Sequence, residues 1–122
     1  MATKRALQLR QRLLTHALAF PETYVDHPWG ETVVKVNKKV FVFAGADDGD
    51  RPGVSLKLPE SHDQALGLPG AAPTGYGLGR AGWVSLPLDA KGLPVGVLLD
   101  WLEESYRTVA PKRLVAELDA RT

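Results

Sequence analysis

Between Thr32 and Phe43 the chain alternates Val and Phe with Lys, and the alternation is broken once, at Asn37-Lys38. Val and Phe suit a pleated, half-buried surface, and Asn tolerates the positive φ of a tight turn, so the stretch predicts a two-stranded hairpin. In that register Val34, Val36, Phe41 and Phe43 share one face and Val33, Lys35, Val40 and Val42 the other. The aromatic face is expected to be the core. Upstream, Pro21 and Pro28 disfavour helical backbone at Phe20 and His27, so a rigid elbow, Tyr24-Val25-Asp26-His27-Pro28-Trp29, feeds the hairpin.

The elbow follows a helix predicted over residues 4–20, with Thr3 as N-cap and Leu7, Leu9, Leu13, Leu14, Ala17, Leu18 and Phe20 on a broad apolar face. Arg10 falls inside that arc, where a long stem snorkelling over the core edge is expected. A third strand is predicted over 53–58, with Val54, Leu56 and Leu58 facing inward and Lys57 outward beside Lys35. Asp47-Asp48-Gly49-Asp50 reads as the turn before it. Pro59 opens a short helix, a Gly- and Pro-rich loop runs to Gly82, and strand character resumes at Trp83.

Pro94 opens a strong amphipathic helix, and Leu114, Val115 and Leu118 of a last short helix are expected to dock on the body. Ser105 lies within the apolar face of the longer helix, where its hydroxyl is expected to bond the Trp101 carbonyl one turn back. Phe41, Phe43, Leu56, Leu99, Leu102 and Tyr106 are expected in one core. The 122 residues suit a single domain over 1–122. The class is α+β: a twisted antiparallel sheet of about five strands with terminal helices packed mainly on one face.

Several function classes find no support. There is no Cys, so disulfides, thiolate ligands and a Cys nucleophile are excluded. His16, His27 and His62 are scattered, so no metal site and no cofactor are expected. Gly77-Leu78-Gly79-Arg80-Ala81-Gly82 has the letters of a dinucleotide loop, but a strand rather than a helix follows it. Ser61-His62-Asp63 has the residue types of a hydrolase triad, yet adjacent residues do not form that relay, and helix N-terminal chemistry accounts for them. No catalytic residues and no enzyme activity are expected. Without a long apolar run or an export signal, a cytoplasmic protein with no membrane partner is expected.

Formal net charge is only +1, so any argument for nucleic acid rests on how the charge is distributed. Lys35, Lys38, Lys39 and Lys57 on the strands, with Arg80 and Trp83 on the loop, combine groups for phosphate contact and base stacking. A second candidate, for a protein or small ligand, is the elbow with Tyr24, Asp26, His27 and Trp29.

In order along the chain come Asp26-His27-Pro28-Trp29-Gly30, Lys35-Val36, Lys39-Val40-Phe41, Ser55-Leu56-Lys57, Gly75-Tyr76 with Arg80 and Trp83, and Glu104-Ser105-Tyr106 followed by Val109. This set resembles the MmcQ/YjbR-like family. The resemblance implies a frataxin-like arrangement of helices and antiparallel sheet, hairpin wings that contact double-stranded DNA, and no established catalytic residues.

Overall fold

A computed structural model describes residues 3–46, 52–75, 77–90 and 92–121. Helix α1 (Lys4–Leu18) leads into β1 (Thr23–Asp26), a 3₁₀ turn at Pro28–Gly30, β2 (Glu31–Val36), β3 (Lys39–Ala46) and β4 (Gly53–Lys57). Helix α2 (His62–Leu66), β5 (Ala72–Pro73), a second 3₁₀ turn at Leu78–Ala81 and β6 (Trp83–Pro87) precede α3 (Val95–Val109) and α4 (Lys112–Ala120). The expected turn at 47–50 and the residue Tyr76 lie outside the described residues.

The strands form one six-stranded antiparallel sheet in the order β1-β2-β3-β4-β6-β5. The α+β class holds, with two short edge strands that periodicity did not mark. One lies in the elbow and the other, carrying Pro73, in the Gly/Pro loop. An edge is where a sheet tolerates a proline, because the missing N–H has no ladder partner to lose. Asn37 and Lys38 both take positive φ, 51° and 66°, the backbone of a two-residue turn that matches strand twist.

Helices α1 and α3 pack on one face of the sheet, over a core that includes Leu13, Val34, Phe41, Leu56, Leu102, Tyr106 and Leu114. Phe20, Phe41 and Tyr106 stack mutually with ring centroids 4.8–6.2 Å apart. Phe43 departs from expectation. The ladder slips between Val34 and Lys35, which pair with Val42 and Val40 and leave Phe41 as an extra residue. Phe41 and Val42 therefore both bury in the core, and the side chains that follow are shifted by one position up to a second irregularity opposite Glu31–Val33, so Phe43 points to the other face. There its ring meets Trp83 edge-on at 5.1 Å. Leu99 packs partly buried at the core margin.

The bulge opens a gap in the β3–β4 ladder, whose pairs stop at Val42↔Leu56. Ser105 fills it. Its hydroxyl donates to the Phe41 carbonyl at 2.6 Å and accepts from the Lys57 amide at 3.0 Å, in place of the expected bond to Trp101. The neighbouring residues of α3 reach elsewhere. Glu104 accepts from the amides of Glu60 and Ser61 and from the Ser61 hydroxyl, and the Tyr106 hydroxyl donates to the Pro21 carbonyl. Burial raises the Tyr106 pKa, which keeps that donor protonated.

The face of α1 is also rotated from the expected one. Ala6, Arg10, Leu13, Leu14 and Ala17 are buried, whereas Leu7 and Leu18 are exposed. Arg10 does not snorkel: its guanidinium donates to the carbonyls of Ala44 and Gly45 at 3.0 and 3.4 Å, tying the helix to the end of β3. Helix α4 docks through Leu114, and basic residues in it and just after it hold the segment that follows α1. Arg113 pairs with Glu22 at 2.9 Å, and Arg121 donates to the Ala19 carbonyl.

Candidate functional site

Antiparallel register places the basic residues. The Asn37-Lys38 turn, the end of β4 and the start of β6 all lie at one end of the sheet, because Lys57 pairs with Trp83 and β4 runs back along β3. Lys38 and Lys39 on the turn are exposed, Lys57 is half-exposed, and Arg80 is exposed on the 3₁₀ turn leading into β6. That turn is bracketed by Gly77 and Gly82, whose φ values of 78° and 93° suit glycine, and it delivers the chain into a strand. No ion pair engages Lys38, Lys39, Lys57 or Arg80 among the described residues. Glu60 and Asp63 border the same shallow depression as Arg80 and temper its field.

Two of the expected residues are not part of this group. Lys35 sits on β2 with β3 between it and Lys57, and its ammonium pairs with Asp26 at 2.7 Å. The Lys35 hydrogen bond and the His27 amide together hold the Asp26 carboxyl below its ordinary 3.8. Trp83 is 6% exposed against Phe43, so its ring presents little surface for a base to stack on. The Asp26–Lys35 pairing was legible only once the elbow is seen as a strand, since Asp26 and Lys35 then approach diagonally across β1 and β2.

Of the elbow residues, Tyr24 and Asp26 both meet Lys35, while His27 and Trp29 lie apart from that contact. Tyr24 faces Lys35 across the strand pair, and His27 Nδ1 lies 3.4 Å from the hydroxyl of buried Thr32. Trp29 is 82% exposed, with φ 54° and ψ 35°. A left-handed backbone is costly for a bulky residue and here secures no burial in return.

The Ser61-His62-Asp63 run shows no triad. The Ser61 hydroxyl is spent on Glu104, and Nε2 of His62 is buried without a hydrogen-bond partner among the described residues. Ser61 makes no side-chain cap bond to α2; its own amide and that of Glu60, just before the helix, donate to the α3 carboxylate. Among the described residues no cluster of three or more His, Asp and Glu is placed to hold a metal, and no helix is long and apolar enough to cross a membrane.

The comparisons with known proteins bear on this frame. The family model YjbR matches residues 18–108, from the end of α1 to α3. The chain belongs to the YjbR family. A crystal structure of the Deinococcus radiodurans protein DR2400, which carries the domain DUF419, superposes with a TM-score of 0.72 at 25% identity, covering 96% of this chain and 92% of that one. DUF419 is the YjbR family, so fold and sequence agree on the assignment. Among curated proteins none matches the chain significantly. The matched span of the YjbR domain holds the elbow, the hairpin, the Arg80 turn and the Glu104-Ser105-Tyr106 run.

Proposed function

We propose that the domain makes weak, sequence-independent contacts to duplex DNA phosphates through Lys38, Lys39, Lys57 and Arg80. The observation that carries this reading is their gathering at one end of the sheet without a carboxylate partner among the described residues. A tight turn suits the role because it presents two exposed cations, Lys38 and Lys39, at the end of a short hairpin. Lys35 and Trp83 drop out of the contact, one neutralised by Asp26 and the other packed on Phe43. Without a free aromatic, the contact is phosphate-directed rather than base-reading.

Fluorescence anisotropy with a labelled duplex across a salt series tests it. Four phosphate contacts give a slope of log K against log salt of about −3 to −4. The quadruple Ala variant of Lys38, Lys39, Lys57 and Arg80 is expected to lose both affinity and slope, and Lys35→Ala to leave them unchanged. Absence of binding by the folded wild type at low salt, or equal binding by the quadruple variant, overturns the reading.

A second reading is favoured by Trp29 alone. An indole 82% exposed, on a backbone that costs stability to hold, suits an anchor for a partner's apolar pocket. On this reading the elbow is a protein-interaction point, with the Asp26–Lys35 pair fixing the strand from which Trp29 projects.

A further inference from the structure

The face of the sheet opposite the helices carries a pocket of about 490 Å³ at the end away from the Asn37-Lys38 turn. It is open because the outward positions of the central strands are small there. Gly45 on β3, Gly53 and Ser55 on β4 and Ser85 on β6 stand where large side chains would fill the space. Phe43, Leu78 and Pro87 supply apolar walls, and Gly70 lies so close to Pro87 that an added Cβ would come within 2.7 Å of its ring.

The polar groups of the pocket form a chain. Thr74 Oγ1 lies 2.9 Å from Ser85 Oγ, which lies 2.8 Å from Ser55 Oγ. Three hydroxyls joined by two hydrogen bonds spend two of their three protons on one another. The third proton is left at one end of the chain, and reversing the direction of both bonds moves it to the other. The row therefore offers a donor at one end and an acceptor at the other, in either sense. Such adaptability matches a ligand hydroxyl, which also donates and accepts. At the rim stands Glu31, exposed and without an ion-pair partner among the described residues.

We propose that this pocket binds a small phenol carrying an alkylammonium group. The ring packs on Phe43 and Leu78, the hydroxyl joins the Thr74–Ser85–Ser55 chain, and the ammonium pairs with Glu31. The volume lies within the range typical of small-molecule sites, and a mostly apolar lining with a few convergent polar groups is their usual composition. The site uses none of the four cations, although Leu78 and Arg80 share one 3₁₀ turn, and it does not rest on the phosphate-contact reading.

Titration of the full ¹⁵N-labelled chain with tyramine, 4-ethylphenol and 4-hydroxyphenylacetate, followed by amide chemical shifts, tests the assignment. Tyramine is expected to give saturable shifts at Ser55, Thr74 and Ser85, 4-ethylphenol weaker ones, and the anionic acid the weakest. Glu31→Gln is expected to weaken tyramine about tenfold, an equivalent of about 1.4 kcal/mol, and to leave 4-ethylphenol unchanged. Ser85→Ala, which cuts the chain in the middle, is expected to weaken both phenols while unfolding remains cooperative. Unsaturable or scattered shifts, equal binding of all three probes, or no loss in Glu31→Gln each overturn the proposal. Should Ser85→Ala fail to fold, the Glu31→Gln comparison decides alone.

Discussion

The two faces of the sheet spend their polar groups differently. Under the helices, Ser105, Glu104, Tyr106 and Arg10 are all committed to backbone atoms of distant segments: Ser105 and Arg10 to strand β3, Glu104 and Tyr106 to the connections beside the sheet. On the opposite face, the hydroxyls of Ser55, Ser85 and Thr74 bond only one another among the described residues, and Glu31 faces solvent. The covered face shows what polar groups do when the fold needs them. The uncovered face holds polar groups that no backbone atom requires, and that difference is why ligand recognition is placed there.

The comparison breaks most readily at matched apolar positions. Leu102→Ala, in the covered core, is expected to cost about 2–5 kcal/mol in denaturant unfolding. Phe43→Leu, on the half-buried opposite face, is expected to cost about 1 kcal/mol. Equal costs would mean that both faces support the fold alike. Next in size, Ser105→Ala leaves the Phe41 carbonyl and the Lys57 amide unpaired and is expected to cost about 2–4 kcal/mol. A cost below about 0.5 kcal/mol would show that the strands close the gap without it.

Trp29 sharpens the contrast in the other direction. Because glycine takes a left-handed backbone without steric penalty and the indole buries little, Trp29→Gly is expected to raise stability by up to about 1 kcal/mol. A clear loss on thermal unfolding would return Trp29 to the fold. The smallest effect concerns pH. The folded-state pKa of Asp26 is depressed, so the stabilisation from its pairing with Lys35 is present above the ordinary Asp pKa of 3.8 and is lost as pH falls through the depressed value. Asp26→Asn should therefore flatten the acid limb of the stability profile slightly. An unchanged limb would mean that the pair persists in the unfolded chain or contributes nothing.

Much of the covered face was legible from local pattern. The Val/Phe alternation, the positive-φ turn at Asn37-Lys38 and the apolar stripe of α3 each report on a structure whose cause lies within a few residues. The expectations that changed had causes far along the chain. A single extra residue at Phe41 reverses Phe43, and no local signal marks a bulge whose stabilising hydroxyl comes from Ser105. The α1 face is rotated because Arg10, expected to snorkel over the core edge, is instead drawn inward by two strand carbonyls. Of the candidate site, the cations were legible by type, but Lys35 was assigned to DNA because β1 was not seen as a strand bringing Asp26 to it. The hydroxyl chain was missed altogether. It joins β4, β6 and the segment after β5, and its sequence signal is only small polar residues at alternate strand positions.

The Glu104-Ser105-Tyr106 run also sets the order in which this protein is completed during synthesis. Its three anchors are Ser61, Phe41 and Pro21, at separations of 43, 64 and 85 residues, and each waits on a helix translated after the whole sheet. While the ribosome is still making α3, β3 and β4 have emerged with an open rung between them and an aromatic core lacking its lid. A chain stalled before that point would present an unsealed strand junction to its neighbours, the kind of surface on which nascent chains aggregate and chaperones act.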